Sequence, residues 1–191
     1  MPILPVVTYN DPVLRKETKS IETDSDELQT LIDDMFETMY NSNGVGLAAP
    51  QIGKSIQLFV VDADAVTDEI EEEENMGPMV FINPAIVEKT GENIKMEEGC
   101  LSIPDVRDDV VRPDTITIKY LDRNFKEQSL HVSGWISRVI QHEFDHLKGV
   151  LFLDYLSAFR RRLNKSTLKK IDKGKLEVNY PVVPKKAKTS S

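Results

Sequence analysis

The segment SGWISRVIQHEFDHLKG, residues 133–149, decides the fold and chemistry expected of this chain. Its centre has the pattern His-Glu-x-x-His, with His142 and His146 four residues apart and Glu143 beside the first of them. On a helix, this spacing puts both imidazoles on one face, where their nitrogens can converge on one metal ion. Glu143 can then take a proton from a metal-bound water without ligating the metal. The segment therefore predicts a hydrolytic site that still needs a third ligand.

The same segment carries the signals of a buried helix. Ser133 is a suitable N-cap residue, and Gly149 suits the position just beyond the helix. Apolar residues between them recur every three or four positions and form a stripe wide enough to pack into a core. The alternative is a chance match whose histidines only pack, and the motif by itself does not exclude it.

A run of small residues precedes the motif in the chain, in the segment GVGLAAPQ at residues 44–51. Such a run allows another backbone, or a peptide substrate, to approach closely. Its last residue, Gln51, can present a side-chain amide to a developing oxyanion. An ordinary glycine-rich turn with a surface glutamine is the more common meaning of such a run taken alone.

The only cysteine, Cys100, lies in the segment EGCLS at residues 98–102. A free cysteine is more often a small buried residue than a ligand. This chain, however, already offers two histidines at metal spacing and no third ligand within their helix. A thiolate with two imidazoles leaves the fourth tetrahedral position open, as in catalytic sites. Gly99 would let the backbone bring the Leu101 N–H toward the same centre, as an oxyanion donor beside Gln51.

Length and composition are those of one well-packed domain, because the 191 residues are 40% hydrophobic. No apolar run approaches the roughly 20 residues that span a bilayer, and the N-terminal residues lack the features of a secretory signal. A single cysteine excludes an internal disulfide and fits a reducing compartment. We therefore expect a cytoplasmic protein without membrane association.

The formal net charge of −8 is divided unevenly along the chain. Residues 156–191 contain eleven Lys and Arg against two acidic residues, a net charge of +9, which leaves −17 on residues 1–155. We expect a catalytic domain over residues 1–163 and a basic, partly flexible extension over residues 164–191. The extension could bind a polyanion such as ribosomal RNA, or it could be a solvated tail.

Hydrophobic periodicity predicts the remaining elements. A core-forming helix is expected over residues 25–44, and an exposed acidic loop over residues 64–77. Strands are expected at residues 56–62, in three patches within residues 79–96, and in a hairpin at residues 115–122 and 126–132. His131 lies in that hairpin and is expected to be structural. The prediction is an α+β fold with mixed and antiparallel β-sheets around a central HExxH helix, an N-terminal helix and a C-terminal helix or tail.

Taken together, three segments resemble the three signature motifs of peptide deformylases: GVGLAAPQ at 44–51, EGCLS at 98–102 and QHEFDH at 141–146. They occur in the order and spacing of that family, and the resemblance extends over about residues 3–156. It implies an α+β metallohydrolase that removes the N-formyl group from the N-terminal methionine of newly synthesised proteins and releases formate.

The resemblance also implies a role for each matching residue. Three positions are expected to hold the metal: Cys100, His142 and His146. The ion is typically Fe²⁺, with Zn²⁺, Ni²⁺ or Co²⁺ as substitutes. Glu143 is expected to act as general base while metal-bound water attacks the formyl carbon, with Gln51 and Leu101 as oxyanion donors. The candidate substrate-binding residues are Val45, Gly46, Glu98, Gly99, Arg138 and Val139.

The expected partners are N-formyl-methionyl nascent peptides and, through the basic extension, the ribosome; DNA and membranes are not expected. Two other functions stay open. A zinc endopeptidase with the same helix would need a further ligand downstream, and no histidine follows His146. A noncatalytic module would dock on the ribosome and use the metal for structure alone.

Overall fold

A five-stranded antiparallel sheet dominates the computed structural model, which describes residues 2–70 and 73–183. The strands are β1 (Val6–Val7), β2 (Gly46–Ala48), β3 (Leu58–Val61), β4 (Met79–Cys100), β5 (Ile103–Leu121), β6 (Glu127–Val132) and β7 (Val182–Val183). The α-helices are α1 (Asp26–Asn41), α2 (Asp64–Thr67), α3 (Gly134–Leu147), α4 (Ala158–Leu163) and α5 (Lys165–Asp172). The large sheet has the order β2-β3-β4-β5-β6, and β1 pairs in parallel with β7. An α+β fold with an antiparallel sheet is confirmed.

Strands β4 and β5 form a long hairpin whose closed end carries Cys100. The ladder ends with Cys100 paired to Ile103, so only Leu101 and Ser102 form the turn. The three strand patches expected within residues 79–96 belong to this one strand, because bulges bridge the interruptions between them.

Helix α1 forms the N-terminal part of the core, as its periodicity predicts. The hydroxyl of Ser25 accepts a hydrogen bond from the N–H of Leu28 at 3.1 Å and caps the helix. Its buried side chains pack against β2 and β3 in a cluster that includes Leu28, Ile32, Met35, Met39, Leu47, Leu58 and Val60. The expected core-forming role is confirmed.

Helix α3 packs its apolar face against β2, β3 and β5. Its buried apolar residues share a cluster with two phenylalanines of the sheet: Phe59, Phe81, Ile136, Val139, Ile140 and Leu147. Gly149 follows the helix with a φ of 72°, and a Cβ there would lie 2.8 Å from the Arg15 carbonyl oxygen. Glycine is therefore required at this point for two reasons, the left-handed backbone and the close contact.

Residues far away in the sequence cap the start of α3. Ser133 occupies the expected N-cap position, but its side chain makes no capping hydrogen bond. Carboxylates of Asp114 and Glu73 instead accept from the first two helical N–H groups, at 3.2 and 2.7 Å. Negative charge at this end also suits the helix dipole. The segment 64–77, expected as an exposed loop, thus begins with α2 and supplies a cap; residues 71–72 lie outside the described residues.

Most of the basic extension is folded against the body. Ile171 of α5 is 2% exposed, and the Asp172 carboxylate accepts from the Tyr9 hydroxyl at 2.8 Å. The pairing of β7 with β1 brings the chain back to the N-terminal arm. The predicted boundary at residue 163 falls between α4 and α5, and residues 184–191 lie outside the described part of the chain. No helix within the described ranges is both long and apolar enough to cross a bilayer.

Candidate active site

Cys100 and the two motif histidines meet where the β4–β5 turn faces α3. Sγ of Cys100 lies 3.4 Å from Nε2 of His146, and the ligand atoms of Cys100, His142 and His146 all lie within 4.8 Å of one another. Metal–sulfur and metal–nitrogen bonds of about 2.3 and 2.1 Å, at a tetrahedral angle, put the two donor atoms about 3.6 Å apart. These donor atoms therefore fit one metal ion that keeps a further coordination position.

The ring of His142 is oriented by Glu98. Nδ1 of His142 lies 2.9 Å from Oε2 of Glu98, so Nδ1 donates and Nε2 is left as the ligand atom. Burial alone would raise the pKa of Glu98, but hydrogen bonds from His142 and Arg112 outweigh burial and hold the pKa far below its usual value. The carboxylate behind the ring is therefore charged at neutral pH.

Two buried arginines neutralise that carboxylate. Arg112 is 2% exposed and donates to both oxygens of Glu98, at 2.6 and 3.0 Å, and to Asp145 at 2.7 Å. Arg138 donates to Glu98 at 3.0 Å and to two backbone carbonyls of the β4–β5 hairpin. Burying this much charge is tolerable only because each group is hydrogen-bonded to an opposite charge. The Arg138 guanidinium is thus bonded inside the fold, although the residue also lines the cleft.

Glu143 lies beneath β2 and is almost fully shielded from solvent. Its side chain is buried, and no group among the described residues hydrogen-bonds its Oε2. Burial raises the pKa of Glu143 to about 7. A Cβ on Gly46 would lie 2.5 Å from Oε1 of Glu143, so the strand can pass this closely only as glycine. A carboxyl group in this state can accept and return a proton near neutral pH.

The side-chain amide of Gln51 is oriented toward the cluster. Its Oε1 accepts from the Ala48 N–H at 2.8 Å, which identifies the oxygen end of the amide. Nε2 then points at Cys100 Sγ and Ser102 Oγ, each 3.4 Å away. The glutamine is buried and not a surface residue, so its N–H₂ group is held ready as a donor.

An open cleft of about 570 Å³ leads to this cluster. All six candidate substrate-binding residues line it: Val45, Gly46, Glu98, Gly99, Arg138 and Val139. His131 is elsewhere, on β6, with its Nδ1 2.9 Å from Oγ1 of Thr117.

Sequence reasoning missed part of the cleft wall. Residues 177–180 of the C-terminal segment line the cleft, and the Tyr180 hydroxyl donates to the Leu101 carbonyl at 2.8 Å. A tyrosine in an irregular segment carries no periodic signal that would place it here. The nearest available hint was a valine pair, Val182-Val183, that can form a short strand.

Comparisons with known proteins agree with one another over nearly the whole chain. The polypeptide deformylase family profile matches residues 3–162. A peptide deformylase of Salinibacter ruber is 51% identical over 190 residues, which cover 98% of this chain and 97% of that protein. The crystal structure of a peptide deformylase from Ehrlichia chaffeensis in complex with actinonin is 40% identical, with a TM-score of 0.82 over 93% of this chain and 100% of that one. A peptide deformylase from Legionella pneumophila, also a crystal structure, is 42% identical, with a TM-score of 0.79 over 90% of this chain and 96% of that one.

The buried charge cluster predicts a large stability cost for Arg112→Leu. The substitution leaves Asp145 and part of Glu98 buried without their cation, and we expect unfolding free energy to fall by about 3–5 kcal/mol. The matched control is Arg107→Leu on the same strand, because Arg107 pairs with Glu97 at the surface, where both side chains are more than 60% exposed. That change should cost less than about 1 kcal/mol. Urea denaturation of both variants measures the difference, and similar losses would contradict this account of the cluster.

Proposed function

The chain belongs to the polypeptide deformylase family, and from this premise we propose that it hydrolyses the formyl amide at the N-terminal methionine of newly synthesised proteins. Membership of the family makes it a hydrolase. The products would be formate and a free amino terminus. The observation that carries the proposal is the convergence of Cys100, His142 and His146 beside the buried Glu143, at the end of a cleft open to a peptide.

We propose that one divalent metal ion binds to Cys100, His142 and His146. A thiolate with two imidazoles is a donor set suited to Fe²⁺, Zn²⁺, Ni²⁺ or Co²⁺, and Fe²⁺ is the ion we expect. When bound, the ion lowers the pKa of a coordinated water and polarises the formyl carbonyl. The contact of His142 with Glu98 supports this role, because it keeps the proton on Nδ1 and leaves Nε2 as a ligand.

Glu143 would be the general base and then the general acid. Its carboxylate takes a proton from the attacking water and returns it to the departing amine. The pKa of about 7 that burial produces suits both steps near neutral pH, and a cation at the neighbouring ligands would favour the charged form that starts the cycle.

Negative charge on the formyl oxygen would be stabilised by two donors, the Gln51 side-chain amide and the Leu101 backbone N–H. The Gln51 amide is already oriented by the Ala48 N–H. Donors that need no reorganisation during the reaction contribute most to such stabilisation.

The cleft wall fits a formylated methionine followed by a peptide. Val45 and Val139 would contact the apolar side chain, while Gly46 and Gly99 let the substrate backbone approach closely. Glu98 and Arg138 also line the cleft, but their charges are paired, so they would shape its wall without attracting a charged side chain.

A second proposed partner is the ribosome. The outward surface of α4, α5 and the residue that follows α5 carries exposed basic side chains: Arg160, Arg161, Arg162, Lys165, Lys169, Lys170 and Lys173. Such a surface attracts the phosphates of RNA. It would keep the enzyme close to the nascent chains it acts on, in the compartment where they are made, the cytoplasm.

Formate release from formyl-Met-Ala-Ser tests the proposed activity. We expect the metal-loaded wild type to be active and Glu143→Gln to lose activity by about 10²–10⁴-fold with unchanged metal content, because only the proton acceptor is removed. The control is Glu127→Gln, which changes an exposed carboxylate on β6.

An inactive wild type with bound metal would favour the noncatalytic module. Cleavage inside an unformylated peptide would favour the endopeptidase.

Gly46→Ala should damage the chemistry without unfolding the protein. The added methyl group would overlap the Glu143 carboxylate, which must move. A displacement of about 1 Å can cost about 100-fold in rate, so we expect kcat to fall by that order. Thermal unfolding and metal analysis of the same sample are the controls. Wild-type kcat in Gly46→Ala would show that the position of Glu143 is not critical.

Charge reversal on α5 tests the ribosome proposal better than truncation, because residues 164–183 are packed against the body. We expect Lys169→Glu combined with Lys173→Glu to weaken co-sedimentation with ribosomes and to lower the salt dependence of binding by about two phosphate contacts. The control is Lys89→Glu combined with Lys126→Glu, two exposed lysines of the sheet with the same change in net charge. Equal binding by the two double variants would remove the proposal.

A further inference from the structure

The C-terminal segment reaches the β4–β5 turn through one side chain, Tyr180. Its hydroxyl donates to the Leu101 carbonyl oxygen at 2.8 Å. The adjacent Pro181 carbonyl accepts from the Val6 N–H at 2.9 Å, where β7 joins β1. The backbone beside Tyr180 is therefore anchored, and the phenol is brought to the turn from a fixed point.

The turn that Tyr180 contacts has little else to hold it. Only two residues, Leu101 and Ser102, connect Cys100 with its ladder partner Ile103. Ser102 is held by Gln51, whose Nε2 lies 3.4 Å from Oγ. The Tyr180 hydroxyl is the contact that restrains Leu101 itself, since a phenol is protonated at neutral pH and can donate throughout the working range.

We propose that Tyr180 is a positioning residue for the deformylase reaction, holding the Leu101 backbone so that its N–H stays aimed at the developing oxyanion. The inference rests on the proposed function and adds to it a residue from a different part of the chain. The hydroxyl and the oxyanion donor belong to neighbouring peptide groups of one residue, so rotation of Leu101 changes both together. An oxyanion donor acts within a narrow range of about 2.7–3.1 Å, and a small rotation is therefore enough to weaken it.

Tyr180 also lines the cleft, which suggests a different role that the experiment must separate. A side chain that binds the substrate directly affects KM, because its contact is present before the reaction begins. A side chain that positions an oxyanion donor affects kcat, because that donor acts mainly in the transition state. A side chain that only anchors the C-terminal segment affects stability.

The test compares Tyr180→Phe with Tyr9→Phe in the full-length, metal-loaded enzyme. Each change removes one hydroxyl, and each hydroxyl joins the C-terminal segment to the rest of the protein, since Tyr9 donates to Asp172 at 2.8 Å. For Tyr180→Phe we expect kcat on formyl-Met-Ala-Ser to fall about 10-fold, with KM within about twofold, which is less than the loss of a whole oxyanion donor. For Tyr9→Phe we expect wild-type kcat and KM.

Hydrogen exchange gives a readout that does not depend on activity. The amide of Leu101 should exchange faster in Tyr180→Phe than in Tyr9→Phe or wild type, because its restraint is lost. Unchanged kcat in Tyr180→Phe, a change in KM alone, or equal kcat losses in the two variants would each overturn the inference while leaving the proposed function in place. An inactive wild type would overturn the proposed function, and this inference with it.

Discussion

One buried carboxylate, that of Glu98, is the interaction on which the rest of the site depends. It is hydrogen-bonded at the same time to His142 of α3 and to Arg112 of β5, and it is itself part of β4. Three elements that are distant in sequence are thereby joined at one charge. Replacing such a cluster with apolar side chains often stabilises a protein, so stability alone does not explain it. The hydrogen bond to His142 does, because it selects the ring nitrogen that is available to a metal.

Close packing is the second constraint, and it explains the small residues of the segment 44–51. The catalytic carboxylate must be dry if its pKa is to lie near neutrality, and a strand lying directly over it provides that cover. Only glycine at position 46 allows the strand to come so near. The same segment ends at Gln51, so one short stretch both shields the base and supplies an oxyanion donor.

Much of the fold and site could be predicted wherever the signal is local. The periodicity of α1 and α3 is contained in each helix, and His142 and His146 share a face simply because they are four residues apart. Cys100 was identifiable because the chain has no other cysteine. What could not be predicted comes from distant contacts: the Glu73 cap on α3, the bonds from Arg112 to Asp145, and the approach of Tyr180. None of these leaves a periodic pattern, because each depends on how separate elements pack.

The C-terminal segment shows why charge was a poor guide to domain structure. Its lysines and arginines point outward and account for the high net charge that suggested a separate extension. Its inward contacts are few and individually unremarkable in sequence: a buried Ile171, a carboxylate at Asp172, and the phenol of Tyr180. Since Lys173 and Tyr180 are only seven residues apart, the basic surface and the wall of the cleft belong to one continuous stretch of chain. A cut after residue 163 would therefore remove a charged surface and part of the substrate cleft together, and the two effects can be separated only by substitutions that respect which way each side chain points.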